Sequence, residues 1–509
     1  MVWSWAVPFF DCRDADSMRV WWWGLGLTRN CEAAKGNARV EWLPVSGDGV
    51  KGGDGEMLRM ILVLVLVVSG LSVSGLSVSG LAGAGETMQF RGESGNGVLP
   101  AQAVRTDWEN AAGVAWKVPN PAAGWAQPIL HSGHVYIAGA VGEGKLKPSN
   151  FADGVKSPQS MGVSLFAKPP KAALTWKLFC LSERDGGVLW EREIVQKQAS
   201  YPIHPSNSWQ TETPAADDAG VYVFCGAAGV LSAYGHDGLL KWQQQTEVCR
   251  TSNGFGTGSS PALVDGRVIV QLYGEDSALV RCFDSVTGKP LWSFERADKG
   301  TSWSSPLVWR NRLRAELVCS GGDRLDSLDP ATGSVLWTVR RVKAATACSP
   351  CCDLERLYFG GSDPFSKGPL FAVKAGASGD VTPEKSNQKF AQCDWLSERQ
   401  GPGMASPVSS GKYVYTNDNN ILKCFDAGTG ERLYQTRIPG LDMLAASPLL
   451  IGDRLLLLDE NGKGCLVNAG AEFQVVGRGS LPDTFWATPA VKDGAMYFRG
   501  VDWIYCVRK

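Results

Sequence analysis

Reactive side chains are sparse in this chain, and the places where they gather are few. Only four histidines occur in 509 residues. One of them lies in "YPIHPSNSWQTETP" (201–214), which brings together His204, Ser206, Asn207, Trp209 and Glu212. An imidazole, a hydroxyl, an amide, an indole and a carboxylate offer hydrogen bonds and a stacking face to a ligand. The same groups serve equally to stiffen a loop by bonding one another. Trp125, Trp303 and Trp486 each stand three residues before a proline at matching offsets. They read either as an aromatic platform for a sugar or peptide, or as packing between repeats. Cys351 and Cys352 are adjacent and precede Asp353. Related segments carry ordinary apolar residues there, so the pair reads as the start of a strand. "TSNGFGTGSSP" (251–261) is glycine-rich, but it lacks the lysine and the strand-to-helix context of a phosphate loop and reads as a turn.

No Ser-His-Asp order, H-E-x-x-H or spaced Cys/His set is present, so no catalytic residue and no metal ligand is assigned. The formal charge is −1 with no long basic run. A nucleic-acid partner would need clustered lysine and arginine, and is not expected.

The elements that must position these residues are repeats. "RCFDSVTGKPLWSFER", "DSLDPATGSVLWTVRR" and "KCFDAGTGERLYQTRI" share one grammar. A second marker, a small or hydroxyl residue before proline, recurs at Pro128, Pro214, Pro261, Pro306, Pro350, Pro407, Pro448 and Pro489. Self-similarity at this period signals a propeller or solenoid. Each unit reads as four antiparallel strands, which predicts an all-β, eight-bladed β-propeller. Asp284, Thr287 and Gly288, then Asp329, Thr332 and Gly333, then Asp426, Thr429 and Gly430 form the turn before the fourth strand. Asp and Thr bond the turn's own amides, and glycine takes the left-handed conformation. Trp190, Trp242, Trp292 and Trp337, with Tyr434, then fall on the outermost strand as wedges between blades. Burying each is worth about 1.5–3 kcal/mol.

The last repeat, "ATPAVKDGAMYFRGVDWIYCVRK", stops after three strands. The segment around Trp116 is predicted to supply the fourth against Ile504–Val507, which removes a free sheet edge. Extra chain interrupts the first blade between Val141 and Ala173 and the fifth between Gly376 and Gly403, where the fourth strand is expected near Trp395.

Residues 1–56 share nothing with the repeats and read as an unstructured leader or gene-start artefact. "MLRMILVLVLVVSGLSVSGLSVSGLAGAGE" has the layout of a secretory signal peptide over 57–84, closing on Ala82-Gly83-Ala84. Its apolar core is short for a membrane span. Uncleaved, it would tether the protein to a membrane. Cleaved, it leaves a propeller over 88–509 in a periplasmic or extracellular setting. Of the 14 cysteines, Cys180, Cys282, Cys424, Cys465 and Cys506 recur at one repeat position. Equivalent positions point into separate cores, so they read as buried thiols rather than a disulfide framework.

The D-x-x-T-G-x-x-L-W phrases and the "SP…GRVIVQ…RCFD" layout resemble the pyrroloquinoline-quinone-like propeller repeat of quinoproteins. The likeness spans about 88–509. The opening "MQFRGESGNGV" looks like that of a secreted bacterial subgroup, and the repeat is similar to that of the outer-membrane protein-assembly lipoprotein. The resemblance implies two rival activities. The first is a non-catalytic scaffold, monomeric and without cofactor, that holds a protein or glycan at the channel mouth. The second is a quinone-dependent dehydrogenase of alcohols or sugars. That activity implies bound quinone, a calcium ion held by Glu, Asn and Asp oxygens, and a vicinal disulfide, for which Cys351-Cys352 would be the candidate. A role in outer-membrane protein assembly is a third implication.

Overall fold

The computed structural model describes residues 9–14, 17–21, 28–32, 87–143, 146–148, 168–343, 347–362 and 367–509. The chain divides into two compact units, 1–78 and 79–509. The first contains a three-stranded antiparallel sheet, Phe9–Asp14, Ser17–Trp21 and Thr28–Glu32. The signal-peptide reading at 57–84 lies outside the described residues.

The described part of the second unit is all-β apart from two short 3-10 turns, and it is built like a propeller. Eight successive sheets each contain four antiparallel strands. The first pairs Ile129–His131, His134–Val141, Leu174–Ser182 and Val188–Lys197 in order. In the eighth, Ala490–Lys492, Ala495–Arg499 and Trp503–Val507 are completed by Val114–Pro119. Cys506 pairs with Trp116 and Tyr505 with Lys117. The first strands touch at six of the eight junctions between neighbouring sheets, and that of the eighth touches that of the first.

The residue before each proline explains how these strands stay together. The Gln127 amide donates to Thr213 Oγ1 at 2.9 Å, and the Thr213 amide to Ser260 Oγ at 3.0 Å. The series continues from Ser260 to Ser305, Ser349, Ser406, Ser447 and Thr488, at 2.9–3.1 Å. A short hydroxyl is needed because it must accept from the preceding sheet's amide while its own amide donates to the next sheet. The first sheet departs from the expected small or hydroxyl residue. Gln127 is longer, and its Nε2 reaches back to the Pro489 carbonyl at 2.7 Å. The eighth sheet is thereby joined to the first.

The outer seams use the Thr-Gly turn. Asp284 Oδ1 accepts from the Thr287 amide and hydroxyl, both at 2.8 Å, and Gly288 has φ +71°. Asp329 accepts from the Thr332 amide, and Asp426 from the Thr429 amide and hydroxyl. Those turns end on Gly333 and Gly430 at φ +73° and +74°. These bonds hold the Asp284 and Asp426 carboxyls below the usual range, led by the Thr287 hydroxyl and the Thr429 amide respectively.

Each glycine then lies flat under an indole of the preceding sheet. Gly288 lies under Trp242, Gly333 under Trp292 and Gly430 under Trp395; a Cβ there would sit 2.5 Å from the ring. The indole N–H groups of Trp116, Trp190, Trp242, Trp292 and Trp395 donate to carbonyls of the next sheet's turn: Glu183, His236, Ser285, Pro330 and Ala427.

The fourth seam differs from the expected pattern. Trp337 packs there, fully buried, but its N–H goes to Glu316 Oε2 within its own sheet at 2.7 Å. Trp309 instead bonds the Asp353 carbonyl of the fifth sheet. The fifth sheet has no Thr-Gly turn to receive Trp337. Its insertion returns to the fourth sheet, where Gly379–Asp380 pairs in parallel with Trp337 and Thr338. The fourth strand of the fifth sheet is Cys393–Ser397. Tyr434 meets Phe473 at the sixth seam, and Trp108 stacks on Phe498 at the seventh.

Two substitutions test these devices. Ser305→Ala removes the acceptor for the buried Ser260 amide and should lower stability by about 1–3 kcal/mol, whereas Ser305→Thr should recover most of it. Gly288→Ala places a Cβ against Trp242 at positive φ and should cost at least about 1 kcal/mol. Urea unfolding midpoints read both.

Candidate functional site

The loop that precedes the second sheet is folded inward. His204 is buried, its Nδ1 bonded to Ser206 Oγ at 2.7 Å and its ring against Phe255. Asn207 donates to the Phe255 carbonyl and accepts from the Ser208 amide and the Thr211 hydroxyl. Trp209 is buried, and its carbonyl accepts from Trp176. The polar atoms of this loop therefore serve mainly to bond one another.

The three tryptophans do not form one platform. Trp125 and Trp486 stack, with centroids 5.7 Å apart, and Trp125 Nε1 donates to the Ser206 carbonyl. Trp303 stands edge-on to Phe255 and donates to the Gly256 carbonyl. The outcome is an arc running from Trp486 through Trp125 and Ser206 to His204, Phe255 and Trp303. Trp303 and Trp486 remain half-buried. All these residues precede the hydroxyl girdle along their strands, so they lie on one side of it.

The other side is occupied by the segment 87–99, whose role the sequence did not disclose. Its contacts fall two residues beyond the prolines. Thr87 bonds Val491 and Leu130, Met88 bonds Ala216, and Gln89 bonds Leu263. Asn96 exchanges two hydrogen bonds with the Cys352 backbone, and Val98–Leu99 pairs in parallel with Leu450–Ile451. Arg91 is fully buried among carbonyls, bonding those of Pro350, Pro407 and Asn96, while its amide donates to Gln127 Oε1. Burial lowers its pKa to about 10. Arg499 is likewise fully buried and bonds the carbonyls of Ala122, Ala126 and Ala138. Burial lowers it to about 9.

One further grouping went unread in the sequence. His131, His134 and His236 stack at the first seam, with His131 and His236 4.9 Å apart. Tyr136 OH lies 2.7 Å from His236 Nδ1. Burial, followed by the two neighbouring imidazoles, lowers the His236 pKa. The only signal was that all four histidines fall within residues 129–245, the stretch of the first two sheets. Glu212, named in the sequence as part of the 201–214 loop, is buried beside the Thr257 hydroxyl, and neither carboxylate oxygen makes a bond of ordinary geometry among the described residues. Burial raises its pKa to about 7.

The twelve cysteines from Cys180 to Cys506 are free. Cys180, Cys282, Cys424 and Cys506 each pair with the wedge residue of their own sheet: Trp190, Trp292, Tyr434 and Trp116. Cys351 and Cys352 are buried in a strand covered by Asn96. Cavities along the inner strands are small, about 20 Å³ beside Glu212 and about 10 Å³ between Phe90 and Pro306. At Cys351-Cys352 the hub segment lies directly on the strand, through the two Asn96 bonds to the Cys352 backbone.

The family model described as outer membrane protein assembly factor BamB matches residues 172–276 and 255–463, more than half of the chain. The chain belongs to this PQQ-like repeat family. No curated protein matches this family member. Its fold is similar to that of quinohemoprotein alcohol dehydrogenase from Comamonas testosteroni, at 12% identity and TM-score 0.53 over 83% of this chain and 80% of that one. ADHIIG from Pseudomonas putida HK5 gives 11% and 0.54 over the same shares. BamB from Moraxella catarrhalis gives 17% identity and 0.46 over 67% of this PQQ-like repeat protein and 92% of that chain. At these identities the dehydrogenases speak for the fold alone.

Two measurements follow from the buried charges. Arg91→Met leaves several carbonyls unpaired and should cost about 3 kcal/mol in denaturant titrations. Glu212 is raised above its ordinary value of 4.5 to about 7. The folded chain therefore holds that proton more tightly than the unfolded chain. This contribution is complete below pH 4.5 and is lost as pH rises to about 7. Glu212→Gln should gain on the wild type over that window, by up to about 3 kcal/mol in low salt.

Proposed function

We propose that the chain is an exported, non-catalytic scaffold that binds a protein partner at the mouth bordered by Trp125, Trp303 and Trp486. The eight sheets act in this reading as blades of one closed ring, sealed by Val114–Pro119 on the eighth. The observation that carries the proposal is the hub. Residues 87–99 cover the inner strands on one side of the girdle, so a ligand approaching the axis meets the opposite mouth. There, half-buried indoles offer large apolar area with one polar handle each. A protein is favoured over a glycan because the family is described by a role in protein assembly. Export rests on residues 57–84.

Photo-crosslinkers placed at Trp303 and Trp486 in the native host test this reading. The expected result is crosslinking to a discrete outer-membrane or periplasmic protein, lost from a control position at Leu354 on the rim. Dye reduction by the purified protein with added quinone, calcium and alcohols would overturn it in favour of a dehydrogenase. The mature N-terminus, read by mass spectrometry, should follow Ala84.

A further inference from the structure

The cavity beside Glu212 is lined by polar oxygens from two neighbouring sheets. Glu212 enters the second sheet; Ser259 enters the third, and Gln271 and Tyr273 lie on its second strand. Ser259 Oγ, Gln271 Oε1 and Tyr273 OH lack a hydrogen-bond partner among the described residues, and the Glu212 carboxylate, approached by the Thr257 hydroxyl and the amides of Thr211 and Gly226, makes no bond of ordinary geometry. Gln271 uses its Nε2 on the carbonyls of Ser304 and Ser320, which leaves its amide oxygen as the unused end. Thr257 lines the same space. Gly226 is needed to leave that space open: a Cβ there would lie 2.4 Å from Glu212 Oε1 and 2.9 Å from Thr257 Oγ1.

Buried polar groups in folded proteins are satisfied with few exceptions, and an unpaired buried carboxylate is among the costliest exceptions. Three such atoms and a carboxylate around one cavity mean that an occupant satisfies them. The cavity is about 20 Å³, room for a single water-sized body. Its lining is rich in acceptors and carries one carboxylate, with no arginine or lysine. An all-oxygen set selects a hard cation, and one negative charge balances one positive charge.

We propose that this cavity binds one monovalent cation of sodium or potassium size, which ties the second sheet to the third through Glu212. The site does not depend on the scaffold reading; a dehydrogenase with this sheet pair would carry it too.

Thermal unfolding of the purified protein, dialysed into choline chloride and titrated at constant ionic strength, tests the assignment. Sodium or potassium should raise the melting temperature saturably by about 2–4 °C. Glu212→Gln should give a flat titration, and Ser259→Ala should move the midpoint to higher salt. If Glu212→Gln fails to fold, the Ser259→Ala shift and a thallium(I) anomalous peak between Glu212 and Gln271 in crystals decide the matter. Equal melting in choline, sodium and potassium would show that the cavity holds water or a protonated carboxyl, and would overturn the proposal. A response to calcium alone, or one retained by Glu212→Gln, would overturn it as well.

Discussion

A hydroxyl that accepts from one amide while its own amide donates to the next hydroxyl is the constraint on which the molecule rests. Ser260, Ser305, Ser349, Ser406 and Ser447 each do both. Proline immediately after each hydroxyl residue fixes φ and presents no N–H to compete. The inner strands are thus spaced by hydrogen bonds of nearly constant length, and the outer strands diverge from them. That divergence opens the wedge-shaped gaps that tryptophan fills. The indole and its glycine partner follow from the girdle rather than compete with it.

Most of this was legible because it is local or repeated. Asp284 to Trp292 contains its own turn and its own wedge, and the phrases at Asp329 and Asp426 reinforce that reading. The sequence misled where one repeat depends on its neighbour. Trp337 has the right phrase around it, yet the next sheet lacks the Thr-Gly turn that would receive its N–H. Trp309, in an unremarked position, meets Asp353 instead. Gln127 likewise breaks the small-residue rule because it must satisfy the eighth sheet and Arg91 together.

The candidate site was legible in its chemistry and not in its direction. His204, Ser206 and Asn207 have the side chains of a binding loop, but their partners are each other and Phe255. Nothing in spacing distinguishes a polar group facing solvent from one satisfied internally. The hub segment was harder still. It has no period, and its bonds reach residues as distant as Val491. Its glycines and Arg91 acquire meaning only once the inner strands they contact are in place.

The pairing of Val114–Pro119 with Trp503–Val507 also bears on how the chain comes to be folded. A strand made early must wait, unpaired, until the final residues emerge. Loop closure over such a separation is slow, and contacts this non-local place the molecule among high-contact-order folds. During synthesis the nascent chain therefore carries two open sheet edges, each a template for wrong pairing. The two edges stay open until Trp503–Val507 arrives, and its pairing with Val114–Pro119 ends that exposure.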